Sequence, residues 1–564
     1  MRISRLFHLL ALLGLLAACS RGGDPAVTDP TPAPRIEVPQ GGTLTIRLGQ
    51  EPGPLRPWAP ASREEEQMVG LLYRGLTRLD ADLAPQPDIA TAWQSDVSGR
   101  VLTMTLRTDL RWHDGEPLTA ADVRWTLTTL QAFTPTTTLL ADLRQVVSAV
   151  ETPLSDTLVL HLNEPYAPLL AELSTPILPQ HLFGSRPAEE IAGVDFWEQA
   201  VGSGPFRFEK REPGSAISFV RNTRYPEGAP HLDRVAFVVA PDPEIAAQAL
   251  GAGDLLAAEL SWAVTEPLSR TEQAALRVGA YPENGYYYLA FNLREGRLFS
   301  DSRVRAALAA ALPLPAIAGI AGPQAMPIWN DHLPGTWAAP AALPESATAS
   351  EGRESAKALL AQAGWVLPPG EAIRASNGLT LSAALYVRGD DARRVEVAER
   401  IASAAATIGI DLRVTPGDFE SVIKPKLAPP FDFEIALMSW GNSRVRPDGP
   451  SYAAYDPDNF ALFHASQIYQ GVADARPGLR NYVGFANTSF DNLSTAARSL
   501  YDLGRRRELY QQTAEILMRE RPYIFLWADR VPVALSRSLK STQGEIRLDT
   551  PNWLSGVEHW YIER

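Results

Sequence analysis

The chain holds a single cysteine, Cys19, among 564 residues. No disulfide can close within it, and no set of thiolates can hold a metal. Its 8 histidines show no metal-ligand spacing, and HExxH is absent. The glycine-rich stretch Gly202-Ser203-Gly204-Pro205-Phe206 has no Walker lysine after it, and Pro205 removes an amide donor, so it is not a phosphate loop. No GxSxG nucleophile elbow occurs. Positive charge is also scarce: 52 Lys and Arg against 65 Asp and Glu give a formal charge of −13. Nucleic acid demands a concentrated basic face, so it is a poor partner for this chain. Catalysis therefore has no motif behind it, and neither a cofactor nor a metal is implied.

Long apolar runs are missing too, except at the amino terminus. There Arg2 and Arg5 precede the run from Leu6 to Leu16, and Ala17 and Ala18 follow it. A basic start, a short apolar core and small residues at its end describe a secretory signal peptide over residues 1–18. The run falls short of the roughly 20 residues of a spanning helix. Leu16-Ala17-Ala18-Cys19 resembles the lipobox of bacterial lipoproteins, whose cysteine thiol takes a diacylglyceryl group and becomes the mature N-terminus. Export and a lipid anchor at Cys19 follow from that resemblance. Residues 19–41 are dominated by proline, glycine and small polar residues and read as a disordered tether.

Beyond the tether, 45% apolar and 21% charged residues fit a folded globular body. Its length calls for two or more lobes, because single cores rarely exceed about 250–300 residues. Thr43–Leu48, 102–107, 158–162, 216–220, 234–240, 286–293, 380–387, 410–414, 432–438 and 523–527 read as strands. Helices are expected at 64–76, from Thr119 as N-cap to about 130, and at 242–251, 302–312, 353–363, 391–408 and 505–520. Pro313 and Pro315 end one of them, and 321–350 reads as irregular. His113-Asp114-Gly115 is a hairpin-type turn. The alternation argues for mixed α/β lobes.

Several segments, in order, resemble the oligopeptide-, dipeptide- and nickel-binding proteins of ABC importers, the extracytoplasmic solute-binding proteins of family 5. The most specific runs from Leu106 to Val123 and includes Trp112-His113-Asp114-Gly115. It is joined by Leu71-Leu72-Tyr73-Arg74-Gly75-Leu76, Gly202-Ser203-Gly204-Pro205-Phe206, Leu289-Ala290-Phe291-Asn292, Asp301 to Leu308, and Ala356 to Trp365. The resemblance implies a two-lobed periplasmic-binding-protein fold of type II, large and cluster C-like. Lobe I would span 42–290 with an extra subdomain at about 78–200. Lobe II would span 291–525, and 526–564 would return to lobe I. For His113, Asp114 and Asp122, turn and cap chemistry favours a scaffold role over binding.

The resemblance also points to ligand contacts. The dipeptide-binding relatives hold an α-ammonium with an aspartate shortly after a tryptophan. Here Trp440 is kept, but Asn442 or Ser443 stands in the acid's place, and a neutral amide lacks the charge-assisted contribution. Asp448, at the family's "DP" position, is a substitute. The relatives fork a terminal carboxylate with an arginine, for which Arg388 is the positional candidate; a solvated loop arginine is the other reading. Phe419 lies near a pocket-lining position. Trp440 is either a contact or a core residue at a strand end.

The implied function is an extracytoplasmic, lipid-anchored, monomeric binding protein in the periplasm or on the outer face of the cell membrane. It would catch peptides, or a related small solute such as an opine, sugar or metal chelate, and deliver them to an ABC permease. Two alternatives stay open: a sensory or chaperone-like binding protein of the same fold, and a secreted hydrolase.

Overall fold

A computed structural model of the chain describes residues 38–133, 138–271, 275–340, 349–441, 455–469 and 481–563. The signal segment, Cys19, most of the tether, Asn442 and Asp448 lie outside these residues.

The first strand forms as expected over Thr43–Leu48, with Leu44, Ile46 and Leu48 buried on one side. The helix after it is shorter than its apolar spacing suggests, running Arg63–Leu72 rather than to 76. Ser62 caps it, and Glu64, Glu65 and Glu66 fill the first turn, where the helix dipole favours acids. It stops because the next residues are committed elsewhere. Gly75 O accepts from Ile89 N, and Thr77 N donates to Leu173 O. Space decides the glycines here: a Cβ on Gly75 would lie 2.5 Å from Ser174 O, and one on Gly202 would lie 1.8 Å from Leu72 O.

The segment with the strongest family resemblance is a scaffold. Gly115 takes φ +105°, which suits glycine. Asp122 Oδ2 accepts from the Thr119 amide at 2.8 Å, the reach-back half of a capping box. His113 Nε2 donates to Gly204 O at 3.0 Å while Nδ1 accepts from Gly202 N at 3.2 Å. Burial holds that imidazole down at about 4, so it is neutral and stitches the turn to the Gly202–Gly204 loop.

Among the described residues a twelve-stranded sheet runs through the protein. Its order is Asp411–Gly417, Ser382–Arg388, Ile435–Gly441, Gly285–Phe291, Tyr523–Ser536, Ala257–Glu259, Thr43–Leu48, Arg234–Val239, Ala216–Arg221 and Phe206–Glu212. Leu276–Pro282 and Ala325–Pro327 also pair with Tyr523–Ser536. That strand is expected only over 523–527 but runs on to Ser536. It finds partners along its length, Gly285–Phe291 first and Leu276–Pro282 after. Ala90–Ser95, Val101–Leu106, Thr157–Leu162 and Val147–Leu154 form a separate antiparallel sheet.

Prolines end the helix Ser302–Ala311 as expected, but a new helix, Leu314–Ala321, starts at once. Proline in a first helical turn gives up no hydrogen bond. The stretch 321–350 contains a short strand, Ala325–Pro327, and the start of the helix Ala349–Gln362.

The cores divide between the halves. Leu44, Ile46, Leu102, Leu160, Phe237, Val533 and Trp553 belong to one. In the other half the sheet has two packed faces. Leu289, Leu385, Leu437 and Leu526 lie on one side, and Tyr288, Ala436, Met438 and Phe525 on the other. The alternation is the period-2 pattern of strands buried on both faces.

Gly202→Ala should cost about 1–3 kcal/mol in urea unfolding, because the new methyl group meets a backbone carbonyl that cannot step aside. An unchanged midpoint would reject that packing role.

Candidate functional site

The second half carries a concentration of aromatic rings on one sheet face. Strand alternation brings Tyr286, Tyr288, Met438 and Trp440 to it, and Tyr523 and Phe525 join from the long strand. A register shift at Tyr287/Tyr288 then turns the long strand, so that Trp527 packs on the opposite side. Tyr288 stacks on Tyr523 with centroids 4.0 Å apart, and Trp440 Nε1 donates to Tyr523 Oη at 3.2 Å. Tyr288 Oη and Tyr482 Oη are 3.1 Å apart. Burial keeps the phenols of Tyr286, Tyr288 and Tyr482 well above their ordinary value, so they remain hydrogen-bonding hydroxyls.

Arg388 and Phe419 come together, the guanidinium lying 5.6 Å from the ring centroid. The pairing of Val387 with Leu437 sets Arg388 on the Met438–Trp440 side of the sheet. Its fork is occupied by the chain itself: Nε and Nη2 donate to Asp390 at 3.0 and 2.6 Å. That bond raises the guanidinium's proton affinity and lowers that of the Asp390 carboxyl. Trp440 is half-buried at the far end of its strand. Asn442 and Asp448 follow it outside the described residues.

Sequence reasoning missed a polar seam where the two halves meet. Ala167 N donates to Arg498 O at 2.7 Å, Tyr501 Oη to Gly99 O at 3.0 Å, and Trp337 N to Asp82 O at 2.8 Å. Fully buried Arg506 forks Asp456 at 2.9 and 2.8 Å. Arg498 pairs with Asp458 at 3.2 Å and lies 4.9 Å over the Tyr166 ring. A signal for Arg506 existed in the helix Leu503–Glu520: Arg506, Tyr510, Thr513 and Leu517 share the buried face at helical spacing. In the run Arg505-Arg506-Arg507 it passes for one more solvated cation.

Tyr166 Oη lies 3.0 Å from both Asp142 Oδ2 and Glu172 Oε1. A phenol has one hydrogen, so one carboxyl must supply the second. Burial, then the Asp142 charge, pushes Glu172 well above its ordinary value, which assigns it that proton. Asp456 adds to the rise and Arg498 opposes it.

A separate cavity of about 230 Å³ lies within the first half, between Arg63–Leu72 and 552–558, and carries none of the candidate residues. Among the described residues no group of three or more His, Cys, Asp or Glu side chains is placed to hold a metal ion. No single helix there is long and apolar enough to cross a membrane.

Comparison with known proteins gives the arrangement its relatives. The family described as bacterial extracellular solute-binding proteins, family 5 Middle, matches residues 84–461. The oligopeptide-binding protein AppA of Bacillus subtilis is 24% identical over 99% of this chain and 98% of its own. The nickel-binding periplasmic protein of Escherichia coli is 27% identical over 80% of this chain and 83% of its own. Among solved structures, the unliganded open form of the murein tripeptide-binding protein MppA superposes with a TM-score of 0.76 at 20% identity, covering 93% of this chain and 98% of that one. The fold is thus the two-lobed α/β fold expected above.

Glu172 makes stability depend on pH. Folded, it keeps its proton above the pH at which an unfolded glutamate releases it. Its contribution is complete below about 4.5 and is lost as pH rises through the raised value. Thermal midpoints should fall across that window, and Glu172→Gln should flatten the fall. An equal slope in both proteins would reject the assignment.

Proposed function

We propose that this chain, which belongs to the bacterial extracellular solute-binding proteins of family 5, captures peptides between two lobes and hands them to the permease of an ABC importer. The observation that carries the capture reading is the polar seam between two separately packed halves. Adjacent strands connect them, so hinge bending can open and close the seam. The peptide reading is supported by the full-length match to an oligopeptide-binding relative. An extended peptide could pair its backbone with exposed strand edges while the half-buried Trp440 takes a side chain.

In this reading the chain crosses between lobes at Glu283–Asn284 and returns at Asp529–Arg530. We draw the crossings there because Tyr281 packs in the first core and Tyr286 in the second, while Ala528 and Val533 divide likewise. The sequence-based boundaries at 290/291 and 525/526 lie within the strands next to these points. Glu283 N donates to Asp529 O at 2.7 Å, tying the two crossings together. Arg393 forks Asp529 at 3.0 and 2.9 Å from the helix Ala392–Ala406.

The protein works outside the cytoplasm, as its family does, and we propose that a lipid on Cys19 and the tether after it keep it near its permease. It acts as a monomer and as a carrier, not an enzyme. Arg388, Phe419, Trp440, Asn442 and Asp448 are the proposed ligand contacts. Arg388 would exchange Asp390 for a peptide carboxylate. The pair is solvent-accessible, and such ion pairs hold only about 0–1 kcal/mol, so the exchange is cheap.

Native mass spectrometry of the protein purified from its own host should find a co-purifying peptide. A metal chelate or sugar in its place would overturn the peptide reading. With that peptide, Arg388→Ala should weaken calorimetric affinity more than tenfold, about 1.4 kcal/mol. Unchanged affinity would remove Arg388 from the site.

A further inference from the structure

Among the described residues, the seam carboxylate Asp331 has no ion-pair partner. Asp331, Asp456 and Asp458 are three of the seam's acids. Asp456 has Arg506, and Asp458 has Arg498. Among the described residues Asp331, 7% exposed, is met by the side-chain amide of Asn459, whose Nδ2 donates to Oδ2 at 3.0 Å, and by no cation. Among the described residues Asp331 Oδ1 has no hydrogen-bond partner, and neither do Asn459 Oδ1 and Tyr286 Oη, of residues that are 2% and 1% exposed. A buried carboxylate without a cation is costly, and a cation brought by a ligand removes the cost.

The surroundings fit such a guest. Asp331 lies close enough to the Tyr286, Tyr455 and Tyr523 phenols for its charge to act on each. Tyr286 packs against Tyr288 and Phe525 with centroids at 5.6 and 5.4 Å, so its phenol is held in a fixed place. Two acceptor-only oxygens and a phenol suit the several N–H donors of an ammonium or guanidinium group. The position also belongs to both halves. Leu333, two residues on, packs in the first core, as does Tyr455, while Asp331's partner Asn459 touches Thr513 of the helix Leu503–Glu520. The same loop reaches Asp82 through Trp337 N. A cation seated there would be enclosed only when the halves meet.

We propose that Asp331, with Asn459 and Tyr286, seats a cationic group of the bound solute, an ammonium or a guanidinium. The proposal rests on the capture reading above and supplies a charged anchor distant along the sequence from Asn442 and Asp448.

The test compares wild type with Asp331→Asn, which keeps the shape and removes the charge. The probes are a tetrapeptide library without Lys or Arg, in free-amine and N-acetylated forms, read by calorimetry and native mass spectrometry. Wild type should prefer the free-amine form by more than tenfold, and Asp331→Asn should bind both forms alike. A wild type without that preference, or a variant that keeps it, overturns the proposal while leaving peptide capture standing. Should Asp331→Asn fail to fold, Tyr286→Phe carries the same comparison, with the preference expected to drop severalfold; an unchanged preference overturns the proposal. Should wild type bind neither form, the peptide reading fails, and cadaverine and arginine amide decide the Asp331 seat. Binding at least tenfold weaker in the variant supports it, and equal binding or none overturns it.

Discussion

One strand sets the terms for the rest of the molecule. Tyr523–Ser536 is 14 residues long and pairs with Gly285–Phe291 at its start and with Leu276–Pro282 toward its end. A single extended segment thus belongs to two cores. The bulge that separates Tyr288's partner Phe525 from Tyr287's partner Trp527 changes which side chains face which core. Both halves are anchored to the same backbone, so relative motion has to be absorbed within a few residues. Asp529, held by Arg393 on one side and by Glu283 N on the other, lies where the chain passes from one core to the other.

The seam follows from this constraint. Two cores that share a sheet leave a surface between them that hydrocarbon alone does not fill here. Charged and hydroxylic groups occupy it instead. An ion pair such as Arg506–Asp456 gains little over apolar packing of equal volume, but losing one partner strands a charge at a cost of about 3–5 kcal/mol. Such pairs therefore add little net stability, although breaking one is costly. Asp142, Tyr166 and Glu172 add a proton to the same interface, because their oxygens outnumber the hydrogens available.

Local chemistry was readable wherever a few neighbouring residues decide the outcome. The Thr119–Asp122 cap, the Gly115 turn and the strand Thr43–Leu48 all form as their patterns require. The helix at Arg63–Leu72 ends early for a reason no periodicity contains: the carbonyls of Leu173 and Ser174 crowd the residues that follow. The candidate contacts divide in the same way. Arg388 and Phe419 meet, since adjacent strand ends bring them together, but Arg388 meets Asp390 as well, two residues along and just as able to occupy the fork.

By itself the sequence determined that this is a folded α/β body of family 5 character, acidic, with one cysteine near its start and no pattern of a catalytic or metal site. These properties reside in composition, in local periodicity and in short motifs that build turns and caps. Only the tertiary structure decided that Asn459 donates to Asp331, that Arg506 is buried while Arg505 and Arg507 beside it are not, and that the Tyr166 hydroxyl sits between two carboxyls. Each of these contacts joins residues brought together by packing rather than by spacing along the chain. The free energy of a buried charge depends on which partners surround it in space.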